Sequence, residues 1–135
     1  MKIVFTNGCF DLLHPGHAYF LRECKKLGDH LIVAVDTDAS VKALKGPDRP
    51  YNPLAQRIND LKMVWGVDAV IPWGGGDLTP LLQIIQPDIL VKGDDYKVGD
   101  ISGAQYMRLN HKRVELVKRS GYSTTEQAKY FNSEG

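Results

Sequence analysis

Asn7-Gly8-Cys9-Phe10-Asp11-Leu12-Leu13-His14-Pro15-Gly16-His17 is the stretch where a buried strand turns into a helix, and the rest of the chain is read from it. Upstream, Lys2 to Thr6 has the apolar, β-branched pattern of a central strand; downstream, Ala18 opens a helical period carried by Phe20, Leu21, Cys24 and Leu27. Pro15 suits a first helical position. Amides at a helix start lack intrahelical partners and the peptide dipoles make that end electropositive, so the junction favours an anion such as phosphate. Gly16, with no side chain, lets the anion come close to the backbone. His14 and His17, three residues apart, can face one ligand, each able to donate a hydrogen bond or carry charge near neutral pH. Phosphoryl transfer needs such donors, because its catalysis is mostly positioning and stabilisation of charge on non-bridging oxygens. A histidine pair at this spacing also serves as a helix cap or a structural metal site; the preceding strand, the Gly-Cys-Phe-Asp turn and the intervening Pro-Gly favour the phosphate reading.

Outward from this junction, strand and helix patterns alternate. Strand-like runs cover Lys2 to Thr6, His30 to Val35, Ala69 to Pro72, Ile89 to Lys92 and Arg113 to Val117. Helical patterns cover Pro15 to Leu27, Ala39 to Lys45, Pro53 to Trp65, Thr79 to Gln86 and Gly103 to Leu109. The order predicts an α/β fold, a Rossmann-like, doubly wound parallel sheet of five strands with right-handed crossovers, in a single domain over residues 1–135 whose last residues, 131–135, fray. Ligands of such sheets bind beyond the carboxyl ends of the strands. The segments Cys9 to His17, Asp36 to Asp38, Gly93 to Tyr96 and Arg119 to Thr125 all follow strands there.

Composition narrows the function classes. With 17 Lys+Arg against 16 Asp+Glu among 135 residues, a net charge of +1 argues against broad electrostatic capture of nucleic acid. Phosphate affinity must then be local. Two cysteines, Cys9 and Cys24, are too few for a disulfide framework and point to a reducing compartment. No apolar run approaches the ~20 residues that cross a bilayer, and the N-terminus enters a strand at once, so a cytoplasmic protein without membrane contact is expected. Neither Gly-x-Gly-x-x-Gly after the first strand nor Gly-Lys-Ser/Thr ending a loop occurs, which excludes the usual dinucleotide and P-loop signatures.

Gly8-Cys9-Phe10-Asp11 followed by His14-Pro15-Gly16-His17 resembles the signature of the cytidylyltransferase-like nucleotidylyltransferases, whose motif is His-x-Gly-His. Leu31 to Ser40, Leu44-Lys45-Gly46 with Arg49-Pro50, Asn52 to Arg57, and Ser123-Thr124-Thr125 match further, so the likeness runs from about Ile3 to Thr125. Within that family the chain most resembles the adenylyltransferase domain of bacterial ADP-heptose synthases. The resemblance implies transfer of AMP from ATP to a heptose 1-phosphate-like sugar 1-phosphate, with release of pyrophosphate and with Mg2+ carried in on the nucleoside triphosphate. It implies His14, His17 and Lys45 as the catalytic groups. Cys9, Phe10, Gly16 and Arg49 join them around the nucleotide, with Lys45 ahead of Arg49 as the triphosphate contact from the loop around Gly46-Pro47. Ser123 and Thr124, which would also cap a helix well, bind the β- and γ-phosphates, and Arg119 adds a guanidinium to the same oxygens. Asp11 contacts the acceptor or helps hold magnesium, or serves a turn.

Lys92-Gly93-Asp94-Asp95-Tyr96 divides the resemblance. Heptose adenylyltransferases tend to carry Lys-Gly-Gly-Asp-Tyr, whereas glycerol 3-phosphate cytidylyltransferases tend to carry Gly-Asp-Asp-Trp, so Asp94, a nucleotide-binding candidate, leans toward the second. A CTP-dependent enzyme acting on glycerol 3-phosphate or another polyol phosphate is therefore the alternative. A nucleotide-binding module without turnover is the reading from a different class. Dimers are common in the family, and a homodimer is compatible with this sequence, although no stripe in it commits to an interface.

Overall fold

The structure, a computed structural model, describes residues 1–118. Five strands, β1 (Ile3–Gly8), β2 (His30–Asp36), β3 (Ala69–Trp73), β4 (Ile89–Gly93) and β5 (Arg113–Val117), form one parallel sheet in the order β3-β2-β1-β4-β5. Helices α1 (Pro15–Lys25), α2 (Asp38–Lys45), α3 (Leu54–Lys62), α4 (Thr79–Ile85) and α5 (Ala104–Leu109) connect them. This is the doubly wound, Rossmann-like architecture that the alternating patterns predict.

Side chains alternate across a strand, and the two halves of each apolar run go to different cores. Val4, Leu31, Val33, Val35, Ile89 and Val91 pack on one face with Phe20, Leu21 and Cys24 of α1 and Leu61 of α3. Phe5, Ala34 and Leu90 pack on the other face with Leu82 of α4 and Met107 of α5. Burial on both faces is why the three central strands, β1, β2 and β4, read as continuous apolar runs. At the amino ends of the strands, carboxylates receive backbone amides that the sheet leaves over: Asp29 from Lys2, Asp88 from Ile3 and Asp68 from Leu31, each at 2.8 Å.

Pairing along the sheet is uneven where it matters. β1 and β2 pair from Ile3–His30 to Gly8–Val35, but β1 and β4 pair only at Val4–Ile89 and Phe5–Leu90. Beyond Leu90, side chains take over the bridging: Thr6 Oγ1 donates to Val91 O at 2.7 Å and Lys92 Nζ to Asn7 O at 2.9 Å. The chain also leaves these neighbours for opposite faces, β1 toward α1 and β4 toward α5. The carboxyl ends of β1 and β4 are thus the topological switch point, where sheets of this kind have their ligand crevice.

Element ends differ from the sequence expectation by a few residues. The first helix closes at Lys25 rather than Leu27, with the Leu27 amide turning back to Cys24 O at 3.1 Å. α3 ends at Lys62 rather than Trp65, because Met63, Val64 and Val67 each donate three residues back and Gly66 takes φ +96°. A short 3-10 turn at Val98–Asp100, unexpected from its Gly- and Asp-containing sequence, precedes α5.

Candidate active site

The loop leaving β1 is folded tightly over its own exit. Phe10 adopts φ 48°, and its ring lies so near Gly8 that a Cβ there would come within 3.0 Å of Phe10 Cε2. The same ring meets His17 edge-on at 5.4 Å between centroids. His17 is 3% exposed, and His14, half-buried, stacks on it at 3.9 Å with 27° between the planes. The motif thus brings both imidazoles together at the entrance of α1, beside the crevice. His14 Nε2 and His17 Nδ1 are shielded from bulk solvent.

The opening of α1 is more closed than an unpartnered helix start. His14 is the N-cap, and its Nδ1 accepts the Gly16 amide at 3.1 Å, while its carbonyl accepts His17 N at 2.9 Å. Pro15 has no amide to offer. The reason is local: an imidazole at the cap reaches two residues forward as a serine or aspartate oxygen does. It has a consequence for chemistry. Since Nδ1 accepts, a neutral His14 carries its proton on Nε2 and presents a donor from that side.

The segment between α2 and α3 is bound to the same loop by Asp11. Its carboxylate, 1% exposed, accepts from the Tyr51 amide at 2.8 Å, the Asn52 amide at 2.9 Å and Arg49 Nε at 2.8 Å. Asn52 Nδ2 returns a bond to Asp11 O at 2.8 Å. Burial by itself would push the Asp11 carboxyl up; the two amides and the guanidinium outweigh it and hold the group below the ordinary aspartate range. Arg49, 8% exposed, also lies over the Tyr51 ring at 4.4 Å. Asp11 and Arg49, expected at acceptor and triphosphate, thus meet one another in a clamp that fixes this loop. Lys45, half-buried, ends α2 at the start of the clamped segment.

Arg57 is the site residue whose role the sequence reading missed. Fully buried, it donates to Cys9 O at 2.9 Å, Asp36 O at 2.6 Å and Asn52 O at 2.9 Å, and pairs with Asp38 at 2.7 Å. One guanidinium so ties the ends of β1 and β2 to the starts of α2 and α3. A signal was present: spacing with Leu54 and Leu61 places position 57 on the apolar face of α3, where a charge needs partners. Cys9, 3% exposed, directs its thiol to Asp36 Oδ2 at 3.8 Å, which also accepts the Ser40 hydroxyl at 3.1 Å. Gly16 is buried in the first turn of α1. Asp94 is exposed beyond β4, its amide continuing the ladder to Val117 O at 3.0 Å. Arg119, Ser123 and Thr124 lie outside the described residues. Among the described residues no group of three or more His, Cys, Asp or Glu gathers as a metal centre, and no helix is long and apolar enough to cross a membrane.

Known proteins resemble this chain in sequence and in fold. The profile of the family described as cytidylyltransferase-like matches residues 5–131. The bifunctional protein HldE of Pectobacterium carotovorum is 50% identical over 125 residues, covering 92% of this chain and 26% of that protein. The HldE of Vibrio vulnificus is 48% identical over 126 residues, 93% of this chain and 26% of that protein. The chain thus spans about a quarter of the length of these curated relatives. Among solved structures, a lipopolysaccharide core biosynthesis protein from Thermoplasma volcanium superimposes with a TM-score of 0.73 at 29% identity, covering 91% of this chain and 99% of that one. The pantoate-β-alanine ligase of Francisella tularensis shares the fold at a TM-score of 0.61 and 20% identity, over 87% of this chain and 59% of that one. With its His-x-Gly-His residues stacked at the entrance of α1, the chain belongs to the cytidylyltransferase-like family of nucleotidyltransferases.

Proposed function

We propose that this chain transfers AMP from ATP to a sugar 1-phosphate of the heptose class, releasing pyrophosphate. The observation that carries the reading is the stacked His14–His17 pair beside the crevice between β1 and β4. The extended identity with HldE proteins favours the acceptor.

The reaction is a direct in-line displacement. A phosphate oxygen of the acceptor forms a bond to the α-phosphorus as the bond to the bridging oxygen of the β-phosphate breaks, and the electron pair leaves with pyrophosphate. No protein base is needed, since a sugar phosphate has a second pKa of about 6 by analogy with phosphoamino acids. His14, with its proton set on Nε2 by the Gly16 amide, and His17 donate to the α- and β-phosphate oxygens as charge builds there. Because those nitrogens are shielded, binding requires the rings or the segment over them to shift. Lys45 meets the leaving pyrophosphate, and Arg49 acts from its clamp with Asp11, holding the loop that carries Lys45. Arg119, Ser123 and Thr124 complete the pyrophosphate contacts, Cys9, Phe10 and Gly16 shape the floor, and Asp94 meets the nucleotide from the turn after β4. Magnesium carried on the triphosphate neutralises phosphate charge when bound, its ligands coming mainly from phosphate oxygens and water.

A second reading, CTP-dependent transfer to glycerol 3-phosphate, is favoured by Asp94. Pyrophosphate release measured with ATP and CTP in parallel, against heptose 1-phosphate and glycerol 3-phosphate, separates them. Turnover of ATP with heptose 1-phosphate is expected. Turnover only of CTP with glycerol 3-phosphate would replace the first reading by the second, and nucleotide binding without pyrophosphate from any pairing would overturn both.

A further inference from the structure

Lys92 is a buried cation at the switch point that the chemistry above leaves unused. It follows Ile89-Leu90-Val91 in β4 and is 8% exposed. By the alternation of the strand its side chain shares a face with Leu90, the α4–α5 side, and Asn7 shares that face with Phe5. Its ammonium donates to Asn7 O at 2.9 Å and Asn7 Oδ1 at 3.2 Å and lies 4.7 Å from the centre of the Tyr96 ring. These contacts span the gap where backbone pairing between β1 and β4 has already ended at Phe5–Leu90.

We propose that Lys92, held by Asn7 and Tyr96, binds the phosphate of the acceptor on the side of the crevice opposite the histidines; this rests on the nucleotidyl-transfer reading. In-line displacement requires the attacking phosphate and the departing pyrophosphate on opposite sides of the reacting phosphorus. The fold offers such a division: α1 brings the imidazoles to one face of the sheet, and β4 brings Lys92 to the other. An attacking phosphate must shed water near a second anion, and a fixed ammonium offsets that repulsion without withdrawing the oxygen lone pairs that attack. Lysine suits the task as a point charge with rotatable donors, able to turn one proton toward a ligand while another stays on Asn7.

The test is calorimetric titration of inorganic phosphate into the full chain saturated with α,β-methylene-ATP, whose own phosphates occupy the nucleotide side. The wild type should bind phosphate. Lys92→Met should weaken that binding about 10- to 100-fold, the worth of a charged hydrogen bond, with analogue affinity unchanged within about twofold. Lys92→Gln, which keeps a donor for Asn7 O but removes the charge, should lose at least about tenfold while melting near the wild type, and it carries the test if the methionine variant does not fold. Wild-type phosphate affinity in the glutamine variant, or no phosphate binding by the wild type, overturns the proposal. Failure of the nucleotidyl-transfer reading would register separately, as absent pyrophosphate release by the wild type.

Discussion

Replacing Arg57 by methionine should be the most damaging single change in the fold outside the apolar core. Methionine fills a similar volume but donates nothing. The carbonyls of Cys9 and Asp36, both receiving Arg57 Nη1 in buried bonds, would lose that donor, and Asn52 O would lose another in a partly buried bond. Each buried acceptor left unmet costs about 1–3 kcal/mol, so two give about 2–6 and a central value of about 4 kcal/mol. The ion pair to Asp38 adds little, because that carboxylate is 47% exposed. Against a net stability of about 5–15 kcal/mol, this is a large fraction, and it corresponds to a fall in Tm of roughly 10–20 °C. Arg57→Lys, one point charge in place of a planar fork, should fall between, at about 2 kcal/mol. Urea denaturation followed by far-UV circular dichroism gives both values. A methionine variant within about 1 kcal/mol of the wild type would refute the assignment of Arg57 as the tie between β1, β2, α2 and α3.

Two further outcomes follow from the same geometry. Asp11, Asp68 and Asp88 all have carboxyls held below the ordinary value of about 3.9, so each contributes stability that is complete above that value and is lost as pH falls through the depressed folded value. Melting should be nearly level from about pH 7 to 5 and decline below about 4; Asp11→Asn should lower the plateau and make the acid decline shallower, and an Asp11→Asn curve parallel to the wild type would contradict the clamp. Gly103 has φ +85°, and a Cβ there would collide with Leu82 Cδ1, so Gly103→Ala should cost about 2–4 kcal/mol in denaturant titration, a loss near zero being the contrary result.

The central strands were legible because their apolar runs are buried on both faces, and the order of runs was enough for the doubly wound sheet. Helix ends were less so, since Leu27 and Val64 continue the apolar pattern after the backbone has begun to turn away. The His-x-Gly-His loop announced itself through local chemistry, strand then turn then Pro-Gly. Its cap did not: a ring nitrogen on the Gly16 amide looks, in sequence, like any other histidine. Least legible were contacts between distant segments. Asp11 reads as a free acid near a phosphate site until Arg49, Tyr51 and Asn52, some forty residues on, fold back onto it. Lys92 and Arg57 left the same faint trace, a cation where the pattern calls for an apolar residue.

The proposed chemistry requires the two stacked imidazoles to act on the phosphates of a triphosphate. Steady-state pyrophosphate release by His17→Asn, with ATP and heptose 1-phosphate, tests this most directly when the variant's melting temperature is measured alongside. Loss of one transition-state donor predicts a kcat lower by about 10²- to 10³-fold in a protein that still folds. A folded His17→Asn variant that turns over at the wild-type rate would contradict it.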